Sequence, residues 1–338
     1  MADERVVLLD HGGGGRLSAE LVERLFLPRL GNPTLARLDD GAVLDNHGGG
    51  RLAFSTDTYT VTPLFFPGGD IGRLAVCGTV NDLAMCGAQP RWLSAGFVLE
   101  EGFPLADLER IADSMATAAR EAGVQIVTGD TKVVPRGAAD GVFINTAGIG
   151  LVPQGVRLGG HQARDGDVVL VSGFLGDHGM TILTQREGLE LGSELCSDAA
   201  PLNYLVERLL GEAPGTRVLR DPTRGGLGAT LNEIAAQSGV EIELEERSLP
   251  VRPAVRGACE LLGLDPLYLA NEGKLLAVVP QEQAEAALAA LRGHPHGAHA
   301  ALVGRVRRAP RPRVVLRTTL GTTRLVDWLS GEQLPRIC

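Results

Sequence analysis

The chain predicts a two-domain α/β protein with a C-terminal tail, on three observations. Its 338 residues are enough for about two domains. Apolar runs at strand spacing alternate with runs at helical spacing in two successive series. The second series restarts at Asp167-Val168-Val169-Leu170-Val171-Ser172, after a seam from Val152 to Gly160. The expected units are residues 1–155, residues 156–308 and a tail over residues 309–338.

In the first unit Val6 to Leu9 reads as a short strand, followed by the glycine loop Gly12, Gly13, Gly14 and Gly15. Bare N–H groups of such a loop can cradle an anion, and a plain connection serves equally well. The loop lacks the Gly-Lys-Ser/Thr ending of a P-loop and the spacing of a dinucleotide fingerprint. A helix follows, with Leu17, Leu21, Val22, Leu25 and Phe26 on one face. Asp39-Asp40-Gly41 precedes Ala42-Val43-Leu44, and Arg51 to Ser55 runs as a strand into Thr56-Asp57. Each carboxylate suits a turn, or a metal reached from a strand edge.

Asp70 is placed to cap a helix from Ile71 to about Gly87, which carries Asn81 and Asp82 among small residues. Gly78, one turn earlier, would admit a ligand or another stretch of backbone. Trp92 to Leu99 is a strand, Pro104 to Ala122 a helix stopped by Gly123, and Val124 to Val127 a strand ending in Thr128-Gly129-Asp130-Thr131-Lys132. Val142 to Ile149 is the next strand. Asp40, Asp57 and Asp130 at strand ends, with Asp82 on a helix, are hard oxygen donors of the type magnesium prefers.

After the restart, Gly173 to Gly179 is a glycine loop containing His178, either a base or a surface hydrogen-bonding residue. Helices are expected from Met180, over Pro201 to Leu210, Leu227 to Gln237, Arg252 to Leu262 and Gln281 to Leu291, with strands at Val240 to Leu244 and Leu275 to Val279. Ala270-Asn271-Glu272-Gly273-Lys274 concentrates ionisable groups just before a buried-type strand. Val314 to Leu316 and Thr322 to Val326 flank Gly321 as a hairpin, anchored by Trp328 and Leu329. The last residues, Leu334-Pro335-Arg336-Ile337-Cys338, end in a thiol. The eight from Gly331 onward reach at most roughly 25 to 29 Å, enough to enter a cleft.

Composition excludes several classes. Hydrophobic residues make up 44% and aromatics 4%, so the core is aliphatic, and 45 glycines lie in short clusters between apolar runs. The formal net charge of -9 argues against a nucleic-acid or anionic-membrane binder. Arg305, Arg307, Arg308, Arg311, Arg313 and Arg317 form a local basic patch suited to solvated strand and loop faces. Five scattered cysteines without a CxxC pair exclude a zinc ribbon and fit a reducing cytoplasm. The N-terminus is no signal peptide, and no window approaches the roughly 18 apolar residues of a membrane span.

Several segments together resemble one family. Phe65-Phe66-Pro67-Gly68-Gly69-Asp70-Ile71 through Cys77-Gly78-Thr79-Val80-Asn81-Asp82-Leu83-Ala84-Met85, Thr128-Gly129-Asp130-Thr131-Lys132, Asp221-Pro222-Thr223-Arg224-Gly225-Gly226, Asn271-Glu272-Gly273-Lys274 and the final Pro335-Arg336-Ile337-Cys338 are similar to the HypE family of hydrogenase maturation factors. The terminal tetrapeptide is the most specific part. The aspartates and glycine loops are shared with aminoimidazole ribonucleotide synthetases, thiamine-monophosphate kinases and selenophosphate synthetases. The resemblance implies an aminoimidazole ribonucleotide synthetase-like ATP-binding fold and a homodimer paired through the N-terminal domains. It implies carbamoylation of Cys338 by the carbamoyltransferase HypF, ATP-dependent dehydration to a thiocyanate, and transfer of cyanide to a HypC–HypD complex. On this reading Mg2+ lies on Asp40, Asp57, Asp82 and Asp130, Gly12 to Gly15 close over the triphosphate, Glu272 is the base, and Lys132 is a nearby cation or proton relay. A Glu272 ion pair with Lys132 or Lys274, without a catalytic part, is the alternative. So are a small-molecule kinase of the same superfamily and a non-catalytic carrier docking through its tail.

Overall fold

The computed structural model describes residues 16–30, 32–45, 50–189, 195–329, 334 and 336–338. The expected strand Val6 to Leu9 and the loop Gly12, Gly13, Gly14 and Gly15 lie outside the described residues. Two helical pieces open the described chain, α1 (Arg16–Leu21) and α2 (Leu27–Leu30). A five-stranded sheet follows, ordered β1-β2-β7-β5-β6, from β1 (Ala42–Asp45), β2 (Arg51–Tyr59), β5 (Gln89–Glu100), β6 (Gln125–Val134) and β7 (Val142–Val152). A small hairpin, β3 (Phe65–Phe66) with β4 (Gly69–Asp70), leads into α3 (Ile71–Met85). Only β5 and β6 pair in parallel within this sheet, because α4 (Leu105–Ala122) carries the chain back between them.

Alternation along β7 sorts the two faces. Val142, Ile144, Thr146, Gly148, Gly150 and Val152 are buried under α3 and α4, while Asn145, Ile149 and Leu151 are exposed on the other face. Phe54 pairs with Ile149 there, and Trp92 lies on the same row. Gly148 lets the sheet approach α3 closely, since a side chain would press on Leu83, Leu93 and Thr79.

Helix α3 is the centre of the molecule. Asp70 accepts from the Arg73 amide at 3.0 Å, as its N-cap position predicts. Every residue of the helix except Arg73 and Asp82 is buried. A helix apolar all round must be packed on all sides, and this one is. Leu74, Val76 and Val80 join the core beneath the first sheet, while Ala84 and Met85 join a core made largely by the second domain.

That second domain is a seven-stranded sheet, β14-β13-β10-β12-β8-β11-β9. In chain order it comprises β8 (Val168–Val171), α5 (Asp177–Glu187), α6 (Asn203–Glu212), β9 (Val218–Arg220), α7 (Gly226–Ser238), β10 (Glu241–Glu245), α8 (Pro253–Leu262), β11 (Leu276–Val279), α9 (Ala284–Arg292), β12 (Ala301–Arg307), β13 (Arg313–Arg317) and β14 (Thr323–Val326). Strands β8 and β11 are continuous apolar runs because both sheet faces are covered. Val169, Val171 and Val278 meet α7, whereas Val168, Leu170 and Val279 meet α6 and α9. The hairpin about Gly321 forms as expected. Strands β9 and β12 were not expected, the first being too short to show a period. The basic patch lies largely on strand faces, with Arg307, Arg313 and Arg317 paired to Glu243, Glu241 and Glu245 of β10.

Candidate active site at the domain junction

Four carboxylates converge where α3 meets the second domain. Asp40 precedes β1, Asp57 lies on the inner face of β2, Asp82 on α3, and Asp221 follows β9. Burial first, and then the neighbouring carboxylates, push Asp82 well above the ordinary carboxylate range; Asp221, Asp57 and Asp40 are those neighbours. Asp40 is raised by burial in the same way, although Arg220 pairs with its Oδ1 at 3.0 Å. Asp221 is pushed up to about 6 by burial. Ser55 Oγ donates to Asp82 Oδ2 at 2.5 Å, while the buried Oδ2 of Asp40 has no hydrogen-bond partner.

This donor set fits a hard divalent cation. Magnesium takes one or two carboxylates and completes its octahedron with water and phosphate oxygens. Among the described residues no three acidic, histidine or cysteine side chains stand close enough to hold a metal ion by themselves, so a cation here would need water and phosphate oxygens as well.

Asp130 does not join the other three aspartates within one chain. A β-bulge puts one extra residue, Val127, into β6 between the pairs Leu93–Ile126 and Ser94–Thr128. Without it Asp130 would oppose the inward Phe97; with it Asp130 opposes Gly96 and faces outward. Lys132 shares that outer face and pairs with Asp130 at 2.6 Å, which holds the Asp130 carboxyl below its usual range. The expected proximity of Lys132 to Glu272 therefore fails within one chain.

Glu272 sits at the other end of the cluster, 3% exposed. Asn271 fixes its loop by accepting from the Gly176 amide at 2.8 Å and donating to the Pro222 and Leu269 carbonyls. Asn81 of α3 donates to the Glu272 carbonyl at 3.3 Å and to that of Ala200 at 3.1 Å, and accepts from the Leu202 amide. Gly273 is required because a Cβ there would strike the Asp198 carbonyl. Neither alternative ion pair of Glu272 forms: Lys274 pairs with Asp198 at 3.0 Å and Lys132 with Asp130. The Glu272 Oε1 atom is buried without a hydrogen-bond partner. Burial, then Asp221, Asp198 and Asp57, push its pKa well up, against the opposing pull of Arg224.

The chain terminus enters this site. Cys338 is half-buried, its carbonyl accepting from the Thr60 amide at 3.0 Å. The charged form of Arg224 is favoured chiefly by Cys338, then by Asp57 and Glu272. The chain end, the Arg224 guanidinium and the candidate base thus lie within one another's electrostatic reach. His178, weighed as a base or a surface hydrogen-bonding residue, is hydrogen-bonded but not at the surface. It is fully buried, and burial lowers its pKa; its Nε2 lies 2.8 Å from the Ile337 carbonyl. Gly78 admits no ligand either, because the Tyr59 hydroxyl occupies the space a side chain would need.

Asp221, Arg224 and Asp198 received no role from sequence. The first two lie in the recognisable Asp221-Pro222-Thr223-Arg224-Gly225-Gly226 stretch, but nothing in that stretch shows which neighbours it meets. Asp198 carries no signal at all.

Family models described as AIR synthase related protein, N-terminal domain, and AIR synthase related protein, C-terminal domain, match residues 38–152 and 164–317. The chain belongs to the AIR synthase related family, the two-domain class its sheets and junction define. Carbamoyl dehydratase HypE of Cupriavidus necator is 57% identical, over 98% of this chain and 94% of that one. Within the family, then, the chain is a dehydratase of the HypE group. A HypE–HypF complex structure contains a chain 48% identical with a TM-score of 0.87, covering 91% of this chain and 99% of that one. A HypE structure in complex with ATP is 57% identical with a TM-score of 0.83, covering 98% and 100%.

Proposed function

We propose that the chain dehydrates an S-carbamoyl group carried on its own Cys338 to a thiocyanate, using ATP, and so supplies the cyanide ligand of a [NiFe]-hydrogenase iron site. The observation that carries this reading is the docking of the chain end on Thr60, where the charge of Cys338, with those of Asp57 and Glu272, favours the charged form of Arg224.

The chemistry requires such a meeting. An amide oxygen leaves poorly as water. Its attack on the terminal phosphorus of ATP, with release of ADP, converts it to a phosphate ester. Elimination of that phosphate with loss of the nitrogen-bound protons then forms the C≡N bond. Asp40, Asp57 and Asp82 would hold Mg2+, whose chemistry here is to orient the triphosphate and offset its charge during phosphoryl transfer. Arg224 neutralises charge beside the sulfur, and Glu272, desolvated and without a hydrogen bond on Oε1, is positioned to take the nitrogen-bound proton. The donor is a carbamoyltransferase of the HypF type and the acceptor a HypC–HypD complex.

Incubation with HypF, carbamoyl phosphate, ATP and Mg2+ is expected to convert the C-terminal peptide to its thiocyanate, read by mass spectrometry. Cys338→Ala should remove all modification of that peptide. A wild-type thiol that stays unmodified, or equal modification in Cys338→Ala, defeats the reading.

A homodimer completes the site in this proposal. The outer face of the first sheet exposes Phe54, Trp92, Ile149 and Leu151, and the edge strand β6 beside it carries Asp130 and Lys132. Pairing of two such faces would cover the apolar rows, and would bring Asp130 and Lys132 to the partner's site. Mixing Lys132→Ala with Glu272→Gln chains discriminates the arrangements. A Lys132 acting across the dimer restores roughly a quarter of wild-type turnover, since half of randomly paired dimers are mixed and one of their two sites is intact. A Lys132 acting within its own chain restores none.

A further inference from the structure

We infer that Thr60, Thr62, His178 and Arg186 form a slot for the C-terminal peptide, in which Arg336 and Ile337, rather than the cysteine, are the residues by which the ligand is selected. The main chain supplies the register. Thr60 N–H donates to the Cys338 main-chain oxygen at 3.0 Å and Thr62 N–H to the Arg336 carbonyl at 3.2 Å. Arg336 takes a left-handed backbone conformation, φ 53°, so the terminal residues lie as a turn, not a strand, against the chain that leaves β2.

The intervening carbonyl, that of Ile337, points the other way and is met by His178 Nε2 at 2.8 Å. A carbonyl only accepts, so Nε2 carries the proton. In the neutral ring Nδ1 then accepts from Ser197 Oγ, 2.7 Å away. Phe66 packs edge-on against the same ring. Arg186 closes the slot from the second domain, donating to the Thr62 carbonyl at 2.8 Å and to the Arg336 carbonyl at 3.0 Å. The main-chain oxygens of the last three residues are therefore all bonded, which holds the Cys338 backbone in place.

Two side chains add selectivity. Ile337 is 3% exposed and belongs to the core beneath the first sheet. Arg336 donates to the Thr60 carbonyl at 2.8 Å, in place of a backbone amide, and its guanidinium also pairs with Asp140. A fork that spans a carbonyl and a carboxylate is a task for arginine, and the single ammonium of lysine does not reproduce it. Both contacts are made by the side chains of Ile337 and Arg336, so the slot reads the two residues before the reacting thiol.

The inference deepens the proposed self-dehydration, and its test needs neither ATP nor a carbamoyl donor. In the full chain, the rate of Cys338 alkylation by iodoacetamide is read on the C-terminal peptide by mass spectrometry. Exposed Cys196 serves as a reference, and buried Cys77, Cys86 and Cys259 report any general unfolding. Ile337→Ala and Arg336→Ala are expected to raise the Cys338 rate about tenfold with the buried thiols still protected, and Ile337→Val to leave it near wild type. A free Leu-Pro-Arg-Ile-Ser peptide, at the order of 10 mM needed to compete with a tethered ligand, should speed alkylation of the unaltered chain, while Leu-Pro-Ala-Ala-Ser should not. Cys338 reacting as fast as Cys196 in the wild type, or indifferent to both substitutions and to the peptide, overturns the slot. Loss of thiocyanate formation with these protections intact would count against the dehydratase reading alone.

Discussion

Glu272→Gln is expected to bind ATP and accept the carbamoyl group yet slow thiocyanate formation by about 10²- to 10⁴-fold, the range a general base contributes. The amide keeps the size of the carboxylate and the backbone contacts of the loop to Asp198 and Asn81, so the fold should persist. Only the proton acceptor is lost. Carbamoylated Cys338 should accumulate, visible as the dominant C-terminal peptide. The pH profile supplies a second check with a definite sign. Burial and nearby carboxylates raise the Glu272 pKa, so its basic form is scarce on the acid side and grows as pH rises through the raised value. Dehydration should climb with pH over that window in the wild type and lose this limb in Glu272→Gln. Unimpaired conversion by the variant would remove Glu272 as the base.

Asp82→Asn should abolish magnesium-dependent turnover, by at least about 10²-fold, while making the metal-free protein more stable by about 1 to 2 kcal/mol. Burial and the charges of Asp221, Asp57 and Asp40 disfavour the ionised Asp82 carboxylate, a cost that a bound cation would offset. Removing one charge relieves the repulsion, and the amide oxygen can still accept from Ser55. Thermal unfolding with and without MgCl2 and ATP measures both effects. The wild type should gain several degrees on addition of the ligands and the variant little. An equal gain in both would exclude Asp82 from the cation site.

Local chemistry was legible wherever its cause was local. Asp70 announced the start of α3 and Gly123 the end of α4, and the alternation of β7 reads directly off its side chains. Asp40, Asp57 and Asp82 were picked out by residue type and come together in the fold. Asp130 reads with them because aspartates at strand ends suggest one site, and Lys132 is placed near Glu272 by the resemblance alone, yet one bulged residue reverses the face both occupy. Bulges leave little trace in a single sequence. His178 was misjudged for a related reason, since its partner is a carbonyl 159 positions away. Arg224 acquires meaning only when the chain end is placed beside it. Long-range juxtaposition, rather than residue chemistry, is what the sequence left unsaid.

Because α3 serves as core for both sheets, the two domains have no shared surface that can part cleanly. A hinge between them would strip Ala84 and Met85 from Leu202, Leu205 and Leu275, and would break the Asn81 bonds to Ala200, Leu202 and Glu272. The candidate catalytic groups are thereby held in a fixed frame. On the proposed function, traffic in such a frame would fall to the small parts: a nucleotide arriving from solvent, and a chain end that leaves with its thiol and returns. Turnover in this protein should then depend on the exchange rate of a few terminal residues and be largely indifferent to mutations that stiffen the domain junction.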